Sequence, residues 1–293
     1  MQAYKILEKI QEKEYTLVCK AKKTNSEREF IIKKLSINPE TGISVSSVRE
    51  IRVLKKLKSS FVVELCEIFV EEKSIFIVTE YLPYTLAGLI SLKFVFSPDQ
   101  FDSIVFQLFQ ATEFIHKQGM IHRNLNPKNI LLDSKCRLKL TSFEHTRFTS
   151  ESMTNDVTTV SYRAPELLLG DTKYTNKIDS WSIGCILIEM KTGKPPFNAK
   201  DEISQCKLIL KTLGIPDCEY PWNNLFTIQQ YSQQEIPEQT FYKAFTSIFE
   251  DKMLFAIKEL LQLNKNKRLS VHNALKLPVI RRGEKIECSI HIN

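Results

Sequence analysis

The segment IHRNLNPKN, residues 121–129, gathers one histidine, one arginine, one lysine and three asparagines, with no carboxylate. An asparagine amide donates and accepts hydrogen bonds, but it is neutral and cannot act as a useful base or hold a nucleophile by charge. Other ionisable residues stand far from it in the chain: Lys33 in IIKK, Arg49 and Glu50 in SVREI, Glu144 in LTSFEH and Asp179 in DSWSIGC. Seven cysteines, at 19, 66, 136, 185, 206, 218 and 288, are scattered and include no CxxC pair. That pattern argues against a disulfide framework and a zinc site, and leaves reduced core thiols as the expectation. Lys and Arg exceed Asp and Glu by 41 to 34, a formal charge of +7 spread along the chain. Lys-rich patches such as KKLKSS from Lys55 and NKNKR from Asn264 adjoin helical periodicity and read as solvated faces, so no motif ties the charge to nucleic acid.

Such dispersed residues need a fold to bring them together. At 293 residues and 43% hydrophobic content the chain can bury a sizeable core. No apolar run approaches the roughly 18 to 20 residues needed to cross a bilayer. The opening MQAYKILEKIQEKEY carries charges where a signal peptide would be apolar, so a soluble intracellular protein without a membrane partner is expected. Strands come first: YTLVCKAKK, REFIIKKL, VVELCEIFV and SIFIVTEYL are short β-branched and aromatic runs broken by polar turns, as an antiparallel sheet requires. One helix interrupts them, SVSSVREIRVLKKL, with Val45, Val48, Ile51 and Leu54 at three-residue spacing. From Ser97 the pattern turns helical. SPDQ supplies an N-cap, a proline at the first helical position and a glutamine to close a capping box, and Phe101, Ile104, Val105, Leu108 and Ile115 follow on one face until Gly119. WSIGCILIEMKTG, Asp201 to Gly214 and Lys252 to Leu263 read as further helices. A small β-rich lobe joined near Leu82 to a larger helical lobe follows, with ligands favouring the cleft between them.

The order of these segments resembles the signature set of the eukaryotic protein kinases, over nearly the whole chain. IIKK resembles the third-strand lysine motif, SVREI the helix carrying the lysine's glutamate partner, IHRNLNPKN the catalytic loop and LTSFEH the metal-binding segment. YRAPELLLG resembles the motif closing the activation segment, and DSWSIGC the helix that anchors it. SVSSVREI and KTLGIPD are similar to the cyclin-contacting helix and a loop of the cyclin-dependent kinases. The resemblance implies an α+β, two-lobed protein kinase fold: a small antiparallel β lobe over 1–82, a larger helical lobe over 83–281 and a tail over 282–293. It implies ATP with Mg2+ as cofactor, in a cleft lined by Ile10, Val18, Lys33, Glu80, Leu82, Asn129 and Leu131. Lys33 would grip phosphates with Glu50 as its helical partner, Asn129 would hold a metal, Thr79 would guard the cleft beside a hinge at Glu80, Tyr81 and Leu82, and Arg268 would pair with Glu166. Leu54, Leu65, His122 and Phe143 would stack into a column joining the lobes. Thr154 matches a threonine phosphorylated by an upstream kinase, with Arg49, Arg123 and Arg147 as the pocket for its phosphate.

Against that pattern the catalytic set has been altered. Asn124 occupies the place of the proton-accepting aspartate, and loss of a positioned base typically costs about 100 to 10,000-fold. Ser142 and Glu144 flank Phe143 where the family has Asp and Gly, removing the principal carboxylate ligand of magnesium, and Asn126 replaces a lysine that would touch the transferred phosphate. Gln11, Lys13 and Thr16 replace the glycines that let backbone N–H groups approach phosphate, and Ile31 stands where a small alanine meets the adenine ring. These departures weigh against both ATP binding and turnover. The expectation is an impaired kinase-like protein working through partners, a cyclin-like subunit among them, in cell-cycle or transcription control, with the nucleus suggested by the family. The alternative is a divergent active Ser/Thr kinase in which Glu144 replaces the missing metal ligand.

Overall fold

The computed structural model describes residues 3–24, 26–38, 40–149, 151, 160–214 and 240–291. Its N-terminal part is a five-stranded antiparallel sheet of order β1-β2-β3-β5-β4, built from β1 (Tyr4–Lys13), β2 (Thr16–Lys23), β3 (Glu29–Ser36), β4 (Leu65–Glu71) and β5 (Ser74–Glu80). Alternation sorts its side chains onto two faces. Ala21, Phe30, Ile32, Phe76 and Val78 make a small core of their own with Tyr4, Cys66 and Phe69. The register sets Val18 opposite Lys33 and Ile31 opposite Thr79, so these four share the other face, toward the helical lobe.

β1 gives no strand signal in the sequence, and its burial explains why: after Tyr4 every residue of YKILEKIQEK is exposed. A strand without a buried face leaves no period-2 signal. β1 and β2 pair down to Lys13 opposite Thr16, with irregularities at Ile6/Glu8 and Lys9/Gln11. Bulges and charged side chains are what keep such an edge from recruiting another strand.

Helix α1 (Val45–Lys56) is capped by Ser44, whose hydroxyl accepts from the Ser47 N–H, and ends on Lys55 and Lys56. Its buried residues are Glu50, Val53 and Leu54, while Val45 and Val48 are 73% and 52% exposed. The three-residue spacing therefore does not mark one buried face. Each step of three falls about 60° short of a full turn, so Val45 and Leu54 end on opposite sides.

Past the strand β6 (Tyr84–Thr85) and the short α2 (Leu86–Ser91), α3 (Pro98–Lys117) starts with the full capping box between Ser97 and Gln100. It buries Phe101, Ile104, Val105, Leu108 and Ile115, and Gly119 follows at φ 70°. Short strands β7 (Met120–Ile121), β8 (Ile130–Leu132), β9 (Leu138–Leu140) and β10 (Arg147–Phe148) carry the intervening loops, β8 between β6 and β9, and β7 with β10. After α4 (Pro165–Leu168), α5 (Lys177–Thr192) is buried from Ile178 to Met190 and is the axle of the helical lobe. Gly193, at φ 74°, closes it by donating to the Glu189 carbonyl. α6 (Glu202–Leu213), α7 (Thr240–Phe245), α8 (Asp251–Leu260), α9 (Val271–Ala274) and α10 (Pro278–Arg281) complete the lobe.

Residues 282–291 pack back onto α3. The Ser103 hydroxyl donates to the Ile286 carbonyl at 3.3 Å, the Gln100 amide donates to the Ser289 carbonyl at 2.7 Å, and Ile290 is buried. Among the described residues no helix is long and apolar enough to cross a membrane.

Candidate active site

Lys33 and Glu50 meet as their motifs imply, Nζ to Oε2 at 2.7 Å. Burial works against the lysine's charge, but Glu50 and Glu144 outweigh it and raise its pKa. Burial dominates at Glu50 and pushes its carboxyl above the usual range, with Lys33 opposing and Glu144 adding to the rise. Lys33 is thus paired with Glu50 and also feels the negative charge of Glu144.

Glu144 is the residue that sequence reasoning underplayed. The Ser142 hydroxyl donates to its Oε1 at 2.8 Å, and Oε2 is buried without a hydrogen-bond partner. Burial would raise the Glu144 pKa, yet Lys33, a backbone N–H and the Ser142 hydroxyl hold it below the usual value, so the group is anionic. Ser142 achieves this at φ 71°, a left-handed conformation that is uncommon for residues other than glycine.

The loop 121–129 is a network of neutral amides. Asn126 Nδ2 donates to the Asn124 side-chain oxygen at 3.0 Å and to its carbonyl at 3.1 Å, and Asn129 Nδ2 donates to that same carbonyl at 2.8 Å. Asn124 and Asn126 are both buried. His122, fully buried and kept neutral by that burial, accepts from the Asn124 N–H at Nδ1 (3.3 Å) and donates from Nε2 to the Thr141 carbonyl (3.1 Å). Its ring lies 5.2 Å from Phe143; of the other two residues of the expected column, Leu54 is buried in the same core and Leu65 is half-buried against it. Asp179 on α5 fixes the loop from below, accepting from the N–H groups of His122 (3.0 Å) and Arg123 (2.9 Å) and from His116 Nε2 (2.8 Å). His116 was not foreseen, because nothing in the sequence links α3 to a residue 63 positions on.

At the mouth of the cleft Ile10 is exposed, Val18 and Leu131 are half-buried, and Leu82 is buried. The Glu80 carboxylate is held elsewhere, by Lys139 Nζ at 2.5 Å and the Glu64 N–H at 2.6 Å. The three arginines do converge. Arg49 donates to the Glu144 carbonyl at 2.7 Å and Arg123 to the His145 carbonyl at 3.3 Å. Burial, then the neighbouring Arg147, lowers the Arg49 pKa, and the Arg123 pKa falls for the same first reason, with Arg147 and Arg49 both contributing. Thr154 lies outside the described residues. Arg268 grips Glu166 through two bonds, 2.6 and 2.8 Å, with both side chains buried.

Residues 4–280 match the protein kinase domain family. The chain belongs to that family. It is 41% identical over 280 residues to a protein named as a probable cell division protein kinase of Encephalitozoon cuniculi, covering 96% of this chain and 91% of the relative. It is 34% identical to the CTD kinase subunit alpha of Schizosaccharomyces pombe, covering 93% of this chain and 47% of that one, so the chain spans about half of that longer relative. A crystal structure of the yeast RNA Pol II CTD kinase CTDK-1 complex superposes with a TM-score of 0.82 at 32% identity, covering 94% of this chain and 92% of that one. The chain is therefore a kinase of the cyclin-dependent-kinase-like group in fold and ancestry.

Protein kinases use ATP with magnesium, and the residues present do not fit that metal's usual holders. Among the described residues no group of three or more His, Cys, Asp or Glu could hold a metal ion. The Ser142 hydroxyl donates to Glu144, and Asn129 donates from Nδ2 to the Asn124 carbonyl, which leaves its Oδ1 as a neutral oxygen in place of a carboxylate. Magnesium favours hard anionic oxygens. The anionic oxygen not engaged in hydrogen bonding here is Glu144 Oε2, two residues from the family's position.

Proposed function

We propose that this kinase-group protein is catalytically impaired and acts through protein partners, in cell-cycle or transcription control. The observation that carries the reading is the Asn124–Asn126 pair: two neutral amides bonded to each other at 3.0 Å where phosphoryl transfer uses a carboxylate and an ammonium. An amide already accepting from its neighbour takes no proton from a hydroxyl. The roof adds to this, because β1 and β2 stay paired down to Lys13 opposite Thr16, with side chains at Gln11, Lys13 and Thr16 where glycines would bare their N–H groups to phosphate.

The retained features suit docking. Val45 and Val48 present apolar surface on the outer side of α1, the helix that resembles the cyclin-contacting one, and a cyclin-like subunit is the partner proposed for it. Convergence of Arg49, Arg123 and Arg147 supports phosphorylation of Thr154 by an upstream kinase, since a phosphate would relieve the repulsion among three guanidinium groups. Relatives named for cell division and as a CTD kinase subunit, with the similar solved structure of an RNA Pol II CTD kinase complex, support the cellular setting and a nuclear location.

One observation favours the other reading, a divergent active Ser/Thr kinase: anionic Glu144, with one buried oxygen lacking a hydrogen-bond partner, beside Lys33. Thermal unfolding with excess ATP, with and without magnesium, separates the two. A ligand at about 100 times its Kd stabilises by roughly 2.7 kcal/mol, enough to move the midpoint by several degrees. No shift at millimolar ATP is expected. A magnesium-dependent shift together with γ-phosphate transfer to a protein substrate would overturn the impaired reading.

A further inference from the structure

Residues 282–291 form a strap, and its attachment brings two thiols together. Ile290 is buried and its N–H donates to the Ser134 carbonyl at 2.8 Å. Two residues back along the strap lies Cys288, and two residues on from Ser134 lies Cys136, the correspondence that antiparallel chains produce. Cys136 belongs to the buried core against which Cys288 packs, so the strap's attachment sets the two thiols side by side. Cys136 is fully buried and its turn is fixed: its N–H donates to the Asp133 carbonyl at 3.1 Å, and Gln107 bonds both the Cys136 carbonyl and the Leu138 N–H at 2.9 Å. Cys288 is half-buried and borders a groove of about 570 Å³ that Lys135 and Arg137 also line. A small anionic reagent can therefore reach Cys288 but not Cys136.

We propose that Cys136 and Cys288 form a thiol–disulfide site that fastens the C-terminal strap to the helical lobe, with glutathione disulfide as the oxidant. The Cys288 thiolate attacks one glutathione sulfur, breaking that S–S bond and releasing one glutathione. Cys136, losing its proton to solvent, then attacks the Cys288 sulfur and releases the second. The two protein thiols give up two electrons and two protons, and glutathione disulfide becomes two thiols. The second step is the slower one, because Cys136 is fully buried and must lose its proton before it attacks. Expectation from sequence stopped at reduced thiols, because neither the spacing nor the strap's course is visible in the chain order.

The test is incubation of the folded protein, in a Cys66→Ser background, with millimolar glutathione disulfide, followed by peptide mapping without reduction and by thermal unfolding. The expected result is a peptide linking 136 and 288, lighter by two hydrogens, and a midpoint raised by about 5 °C, both reversed by dithiothreitol. Cys288→Ser should abolish both changes, and Cys136→Ser should leave a lasting glutathione adduct on Cys288. A lasting adduct on Cys288 in the protein that retains Cys136, or no modification of either cysteine while circular dichroism reports the native fold, would overturn the proposal.

Discussion

At the scale of single residues, the ion pair between Arg268 and Glu166 separates what a charge contributes from what its loss does. The Arg268 guanidinium also donates to the Gln262 carbonyl at 2.9 Å and the Lys177 carbonyl at 3.2 Å, and lies 5.2 Å from the Trp181 ring. Removing the arginine alone strands a buried carboxylate, so Arg268→Met is expected to lose about 3–5 kcal/mol in urea unfolding. The double variant Arg268→Met/Glu166→Leu should recover most of it, because no uncompensated charge remains. This pair was legible in the sequence, since each partner sits in a segment of fixed pattern. The Asn124–Asn126 bond was legible only as missing charge. That two amides would satisfy each other depends on the turn of the loop, which no residue type announces. In the sequence Glu144 is visible only as an offset substitute for the missing metal ligand. Its actual state rests on the Ser142 hydroxyl and on Lys33, brought to it from a different lobe.

At the scale of elements, legibility followed burial. The helices α3, α5, α6 and α8 carry apolar faces, caps or terminal glycines, and the sequence placed each of them within a few residues. β1 has no buried face and α1 has its valines outward, so periodicity was silent for one and misleading for the other. The strap was also unreadable, because what holds it is a close backbone approach. A Cβ on Gly283 would lie 2.0 Å from the Asp102 carbonyl oxygen and 2.9 Å from Phe106 Cβ. Gly283 is not at a left-handed φ, so its role is space and not conformational freedom. Gly283→Ala must push the strap off α3, and a loss of about 1–3 kcal/mol is expected. Hydrogen exchange should show faster exchange at Ile290, whose N–H is bonded to Ser134, while α5 stays protected.

At the scale of the whole molecule, Asp179 ties the central helix to the catalytic loop, and its titration should be read in the stability of the entire fold. Burial would raise its pKa, but the hydrogen bond from His116 Nε2, the electrostatic influence of the two neighbouring imidazoles and the Arg123 N–H hold it below the usual value. A carboxyl with a depressed folded pKa gives stability that is complete above the unfolded value, about 3.9, and is lost as pH falls through the folded one. Asp179→Asn should therefore cost roughly 2–3 kcal/mol at neutral pH, a deficit that shrinks in urea melts run below about pH 4. The same rigidity bears on whether the altered cleft can be rebuilt. The Lys33–Glu50 pair, the His122–Phe143 packing and the Asp179 anchor are all in place, so the scaffold around the missing groups is intact. Asn124→Asp, Asn126→Lys, Ser142→Asp and Glu144→Gly made together restore the two charges of the loop and a carboxylate at position 142, and remove the anion now facing Lys33. That variant is expected to gain a magnesium-dependent rise of several degrees with ATP that the parent lacks. Transfer should stay slow, because Gln11, Lys13 and Thr16 still roof the phosphates. If no rise appeared although the variant folded, the obstacle would be the roof and Ile31, and replacing Ile31 with alanine in the same background would be the change to restore nucleotide binding.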